Sequence, residues 1–287
     1  MHFHILSKLF WNINFFPAFL GKIYEIFLTE QLVLLENNTI GLGKKKDCQN
    51  RSVVTTPTEI VKYMVDKTLS KVCEGKTPSE ILNISVADIA CGSGIFLEEA
   101  FAYLQDYCVQ WYICNGQTDH LIETGIDLYK LPLQEKKDIL CSCIYGIDID
   151  IHAVEVAKFS LLIKLIEDET APSVSEVVPI LPDLGDNIQF GNSLVSRTEL
   201  NGISDANRQM MEIAPFDWST INNGCGFDVI IGNPPYVNTE GMHALLPSAE
   251  VEVYKKKYKT SYKQFDKYFI FIEQAINKIN GNGLVCY

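Results

Sequence analysis

The string FDVIIGNPPYV, residues 227–237, runs an apolar, β-branched segment straight into Asn233, Pro234, Pro235 and Tyr236. Two consecutive prolines fix φ and remove two N–H donors, so the local carbonyls remain as acceptors. Asn233 adds a side-chain acceptor and Tyr236 an aromatic face. That combination suits an exocyclic or amide NH2 group, whose delocalised lone pair makes it a poor nucleophile. Asn233 Oδ1 and the Pro234 carbonyl can hold both of its protons. The nitrogen then becomes pyramidal and turns its lone pair toward an electrophilic methyl. A rigid loop after a strand is the alternative reading. None of the five histidines falls in a convincing triad or metal set, and no metal is expected.

A second string, VADIACGSGIFL at 86–97, carries Asp88, Ala90, Cys91, Gly92 and Gly94. Glycine serves where the backbone needs positive φ or must approach a ligand closely. The turn opens a helix, whose N–H groups can bind an anion or carboxylate. The dinucleotide fingerprint GxGxxG fails, because Ile95, Phe96 and Leu97 follow Gly94. Asp88 would instead accept from a cation, such as the ammonium of S-adenosylmethionine. In IYGIDID, Asp148 ends the next strand, where open α/β sheets place ligands, and can accept both hydroxyls of a ribose. Asp150 reads as the cap of the following helix. Gly92 and Asp148 stand 56 residues apart, against ~20 in a compact unit, which implies inserted helices at about 98–140. Asn192, in FGNSL, either meets an adenine edge, donating and accepting at once, or is a turn residue after Gly191.

These residues need elements to hold them. Ile84–Ala90, Ile144–Ile149 and Phe227–Gly232 read as buried strands, Asn187–Phe190 as a short strand, and Leu284–Tyr287 as the start of a fifth. Thr56-Pro57 opens a helix with Ile60, Val61, Met64, Val65 and Leu69 at helical spacing. Further helices follow Gly94, cover about Ile151 to Glu167, and cover Tyr262–Ile279, the last ended by Gly281-Asn282-Gly283. Strands alternating with helices predict an α/β fold with a mostly parallel sheet covered on both faces. Residues 19–35 read as a helix, and 37–53 as a loop with Gly41, Gly43 and three lysines from Lys44 to Lys46. The expected division is a helical connector and loop over 1–53 and a catalytic domain over 54–287.

Composition bounds the function. The 287 residues carry a net charge of −12, which argues against a protein that coats nucleic acid generally. A local basic edge is compatible with it. Over 254–267, Lys255, Lys256, Lys257, Lys259, Lys263 and Lys267 interleave with Tyr254, Tyr258 and Tyr262. This stretch either neutralises phosphates or is a solvated helix face. Nine cysteines include no CxxC pair, and read as free buried thiols in a reducing cytoplasm. The charge-free run between Lys8 and Lys22 is interrupted by Asn12, Asn14 and Pro17, so no membrane span is expected.

Taken in order, these motifs resemble the gamma-class adenine-N6 DNA methyltransferases of restriction–modification systems. They look most like the type IIG enzymes that join endonuclease and methyltransferase in one polypeptide. The resemblance covers residues 19–287. LGKIYEIFL is similar to the connector helix, and VVTTPTEIVKYMV, with Thr56 and Pro57 in register, to the motif closing over the methionine end of the cofactor. DIACGSGIFL resembles the glycine motif, GIDID the ribose motif, GNSL the adenine-edge motif and NPPY the catalytic motif. FDKYFIFIEQAINKINGNGLVCY is similar to the helix and strand that follow. Departures are Ile89 for the usual Pro, Thr55 for an aromatic, and Asn192 where Asp is frequent.

The resemblance implies a Rossmann-like class I S-adenosylmethionine-dependent fold and methyl transfer to N6 of an adenine in double-stranded DNA. The adenine would flip out to reach Asn233 and stack on Tyr236. The cofactor would lie over Thr56, Pro57, Asp88, Ala90, Cys91, Gly92, Gly94, Asp148, Ile149 and Asn192. DNA would lie along Lys255, Lys256, Lys257 and Lys259, and the setting would be the prokaryotic cytoplasm. The family's fold has seven strands and five are counted, so the C-terminal strands are expected to be incomplete. Target-recognition and nuclease domains are expected in cis or in trans, and the isolated chain is expected to be poorly active. The alternatives are a protein-glutamine N5-methyltransferase, since a glutamine amide presents the same NH2 group, and an inactive truncated remnant. The Thr-Pro motif and the connector helix argue against the glutamine reading.

Overall fold

The computed structural model describes residues 30–34, 40–44, 56–170 and 177–287. Strands β1 (Glu30–Leu34) and β2 (Ile40–Lys44) form an antiparallel pair with Glu30 opposite Lys44. This overturns the helix expected to run through residue 35 and the loop expected at 40–44. The apolar run from Leu32 to Leu35 has no period of its own, so helix and strand cannot be told apart there. The connector helix expected over 19–29, and Lys45, Lys46 and Cys48, lie outside the described residues.

The chain continues as α1 (Thr58–Cys73), α2 (Pro78–Ile81), β3 (Val86–Asp88) and α3 (Ile95–Cys114). A hairpin, β4 (Ile122–Gly125) and β5 (Leu128–Lys130), precedes α4 (Leu133–Cys143), β6 (Ile144–Asp148) and α5 (Ile151–Ile166). Then come β7 (Ile188–Phe190), α6 (Ala206–Ile213) and β8 (Phe227–Ile231). Helices α7 (Thr239–Leu245), α8 (Ser248–Lys257) and α9 (Lys267–Lys278) lead into β9 (Ile279–Cys286). Among the described residues five strands build one parallel sheet in the order β7-β6-β3-β8-β9, the α/β architecture expected from the sequence.

Strand alternation divides the core. Val86, Ile144, Ile188 and Val229 pack with Val65, Leu69, Phe101 and Leu161 on one face of the sheet. Their neighbours Ala87, Tyr145 and Ile230 pack with Phe227, Tyr254, Ile270 and Phe271 on the other. Burial on both faces is why these strands read as nearly continuous apolar runs.

Several boundaries differ from expectation, β3 spanning only Val86–Asp88 where Ile84–Ala90 was expected. Helix α1 starts at Thr58 with Pro57 at its cap and no side-chain capping bond, so Thr56 stands outside the helix. Helix α9 starts at Lys267, because Asp266 caps it by accepting from the Tyr268 N–H at 3.0 Å. Tyr262 and Phe265 therefore precede the helix. Gly281 and Gly283 lie inside β9 rather than before it. A Cβ on Gly283 would stand 2.8 Å from the Asp228 carbonyl oxygen, and the β8–β9 register shifts beside it. A glycine in a strand marks such a close approach. The stretch inserted between Gly92 and Asp148 contains the expected helices and also the β4–β5 hairpin.

The eight described cysteines are free thiols. Cys73, Cys91, Cys108 and Cys143 are buried as expected, whereas Cys114 and Cys225 are exposed. Among the described residues no helix is long and apolar enough to cross a membrane.

Candidate active site

The chain leaves β3 for β6 and β7 on one side, then returns to β8 and β9 on the other. The order reverses between β3 and β8, where an open parallel sheet leaves a crevice at its carboxyl ends. A cavity of about 620 Å³ lies there. Asp88, Ala90, Cys91 and Gly92 reach it from the turn after β3, and Asp148 and Ile149 from the turn after β6. Asn192 arrives after β7, Asn233 and Pro235 after β8, and Thr56 from ahead of α1. Pro57, Gly94, Pro234, Tyr236 and Lys255 to Lys259 stand outside its wall. Gly94 serves from behind: its φ is 92°, and a Cβ there would press on Ala157 Cβ at 3.0 Å, so glycine lets α3 start against α5.

Two carboxylates organise the inner end. Asp88 is only 2% exposed, and its Oδ1 accepts from the Ala90 N–H at 3.0 Å. Burial pushes its pKa up to about 8, against the Ala90 bond, and the neighbouring charge of Asp148 adds to the rise. Asp148 Oδ2 accepts from the Gly92 N–H at 2.8 Å and Oδ1 from the Asp150 N–H at 2.8 Å. It thereby clamps the turn after β3 to the turn after β6. Burial raises its pKa as well, against those two bonds. Asp150 takes the expected capping role, accepting from the His152 N–H at 2.9 Å. The end of β8 comes close to Asp88: a Cβ on Gly232 would stand 2.5 Å from Asp88 Oδ1. One buried and one half-buried acid in a single cavity call for a cation or for hydroxyl donors.

At the mouth, Asn233 Nδ2 donates to Thr56 Oγ1 at 3.0 Å, and Asn233 Oδ1 accepts from the Tyr236 hydroxyl at 3.0 Å. The Tyr236 ring, 46% exposed, stacks on Tyr268 with centroids 5.2 Å apart and planes 15° apart. Asp266 Oδ1 accepts from the Val237 N–H at 3.1 Å, and the Lys267 N–H donates to the Val237 carbonyl at 2.9 Å. These bonds fasten the exit of the Asn-Pro-Pro-Tyr turn to the start of α9, which holds Tyr268 under Tyr236. Sequence reasoning missed both Asp266 and Tyr268. The available signal was Asp266 as a helix cap just before an apolar run.

Asn192 takes the turn role and also lines the cavity. Oδ1 accepts from the Leu194 N–H at 3.1 Å, a turn bond, while Nδ2 donates to Glu250 Oε1 at 3.0 Å within the cavity wall. Glu250 also takes the Tyr254 hydroxyl and lies 3.5 Å from Lys267 Nζ. Glu250, Lys267 and Phe271 line the cavity and were not foreseen there.

The basic and aromatic surface expected over 254–267 is corrected. Tyr254 and Tyr258 are buried, and the Tyr258 hydroxyl donates to the Leu194 carbonyl at 2.6 Å. Lys267 is buried too, while Lys257 pairs with Glu199 at 2.9 Å and donates to the Leu194 carbonyl at 3.0 Å. Val251, Tyr254 and Tyr258 share the core-facing side of α8 and its end, which draws the tyrosines inward. Lys255, Lys256 and Lys259 remain exposed, with Lys256 paired to Glu252 at 2.6 Å. Among the described residues no group of three His, Cys, Asp or Glu is placed to hold a metal ion.

A family profile described as Eco57I restriction-modification methylase matches residues 142–287. Over 268 residues the chain is 45% identical to the type II restriction enzyme and methyltransferase RM.Eco57I of Escherichia coli, covering 93% of this chain and 26% of that protein. It is 28% identical over 222 residues to the putative type II restriction enzyme and methyltransferase RM.MjaORFECS2P of Methanocaldococcus jannaschii, covering 64% and 17% respectively. Over 203 residues it is 24% identical to the type II methyltransferase M.BstVI of Geobacillus stearothermophilus, covering 70% and 27%. The chain thus spans between 17% and 27% of the length of these three relatives.

Proposed function

The chain belongs to the Eco57I restriction-modification methylase family, and from that premise we propose that it transfers a methyl group from S-adenosylmethionine to N6 of adenine in double-stranded DNA. One observation carries the reading: the Asn233 amide sits between Thr56 and Tyr236 at the mouth of the cavity that Asp88 and Asp148 line.

The donors and acceptors fit such a cofactor. Asp88 forms no ion pair among the described residues and would gain a cationic partner in the amino acid's ammonium. Asp148 keeps spare acceptor capacity for ribose hydroxyls, since each carboxylate oxygen carries two lone pairs. Thr56 would border the methionine end, and Asn192 would meet the purine. When bound, the cofactor supplies an electrophilic methyl group.

The chain's own residues then handle the nucleophile. A target adenine leaves the base stack and rests on Tyr236, whose ring Tyr268 already backs. Asn233 Oδ1 has a second lone pair beyond the one given to Tyr236 and accepts one N6 proton, while the Pro234 carbonyl accepts the other. Both bonds favour a pyramidal nitrogen with its lone pair directed into the cavity. Exposed Lys255, Lys256 and Lys259 would meet phosphates, whereas Lys257 is held by Glu199 and contributes mainly to packing.

Incubation with labelled cofactor, duplex DNA and a glutamine-containing peptide tests the reading. Label is expected in DNA adenine. Label in the peptide with none in DNA would replace it with protein-glutamine methylation.

A further inference from the structure

We propose that Glu250 reads the purine of the cofactor by accepting a hydrogen bond from its 6-amino group, so that the site prefers adenosyl over inosyl ligands. The inference rests on the cavity being an S-adenosylmethionine site.

Glu250 lies on α8 in the cavity wall and is 1% exposed. Three donors converge on its Oε1: Asn192 Nδ2 at 3.0 Å, the Tyr254 hydroxyl, and Lys267 Nζ at 3.5 Å. Oε2 takes no hydrogen bond among the described residues. A carboxylate only accepts, so this oxygen offers a fixed acceptor to whatever enters. Asn192 beside it has given Oδ1 to the Leu194 N–H and one Nδ2 proton to Glu250. Asn192 also donates to the Tyr254 hydroxyl, so its amide is committed to the wall and helps to hold Glu250.

The wall therefore presents an acceptor, Glu250 Oε2, held in place by its neighbours. Adenine offers the complement, a donating 6-amino group. Hypoxanthine places the acceptor O6 there, so the contact fails. Ile149 and Phe190, 45% and 44% exposed, line the same cavity and offer apolar packing to the ring faces. Lys267 and Tyr254 act through Glu250, holding its carboxylate in place.

Isothermal titration of the full chain with S-adenosylhomocysteine and with S-inosylhomocysteine tests the proposal. The native chain is expected to prefer the adenosyl ligand by at least about tenfold, the worth of one hydrogen bond to a charged group. In Glu250→Gln the new amide can donate to O6, and the preference is expected to fall below about threefold. Equal binding of both ligands by the native chain, or an undiminished preference in Glu250→Gln, would overturn this proposal alone. If the native chain binds neither ligand, the cofactor reading falls and takes the proposal with it. Should circular dichroism show Glu250→Gln unfolded, Asn192→Ala decides. A reduced but persistent adenosyl preference supports Glu250, and its complete loss assigns discrimination to Asn192 and overturns the proposal.

Discussion

Thr56 Oγ1 accepts a hydrogen bond from Asn233 Nδ2 at 3.0 Å, across 177 positions of sequence. That bond decides which way the Asn233 amide lies, and it leaves Oδ1 to the Tyr236 hydroxyl and the space beyond. A residue expected only at the cofactor thus also orients the amide expected to hold the substrate.

Replacing Thr56 with valine keeps its shape and removes the acceptor. Turnover in a labelled methyl-transfer assay is expected to drop about tenfold, the worth of one hydrogen bond. Thr56→Ser keeps the hydroxyl and is expected to retain most activity. Equal activity in all three proteins would remove Thr56 from the account of Asn233.

Asp88 gives the pH prediction. Its folded pKa of about 8 lies above the ordinary 3.8, so the ligand-free folded state binds more protons than the unfolded chain between those values. This group's contribution to stability is greatest below pH 3.8 and declines as pH rises toward 8. A bound ammonium reverses the preference and ionises Asp88. Cofactor binding at about pH 7 is expected to release a proton, seen as a buffer-dependent heat in calorimetry and absent in Asp88→Asn. A heat independent of buffer would contradict it.

Gly232→Ala places a Cβ 2.5 Å from Asp88 Oδ1, so either the carboxylate or the end of β8 must move. The cost is expected to be about 1–3 kcal/mol, as for other overpacked sites, with a matching fall in melting temperature and weaker cofactor binding. A variant with native stability and affinity would show that the close approach of β8 to Asp88 is dispensable.

The exposed lysines predict a salt signature. Changing Lys255, Lys256 or Lys259 to alanine is expected to lower the slope of log affinity for DNA against log salt by about 0.9 for each phosphate that is no longer neutralised. Lys257→Ala is expected to act on stability instead, through Glu199 and the Leu194 carbonyl. Unchanged slopes in the first three variants would make them a solvated helix face.

Much of this site is legible in the sequence because chemistry and topology coincide at strand ends. Asp88, Asp148 and Asn233 each terminate or follow a strand buried on both faces, and apolar runs of that kind announce themselves. What escapes notice depends on contacts between distant segments. Lys267 and Tyr254 read as surface residues by type, yet Glu250 and the core beneath α8 draw them in. Glu250 itself carries no local signal: it is one acid on a helix until Asn192 comes within 3.0 Å. The β1–β2 hairpin is hidden because its apolar run fits a helix equally well until a partner strand is known.

In the proposed reaction the site divides its labour, with Asn233 acting on the substrate amine and Asp88 and Asp148 holding the cofactor. Methyl transfer to DNA adenine and cofactor affinity, measured side by side in Asn233→Ala, test it most directly. Transfer is expected to fall by at least about a hundredfold, while the dissociation constant for S-adenosylhomocysteine stays within about twofold of the native value. Native turnover in Asn233→Ala, or cofactor binding abolished together with transfer, would contradict it.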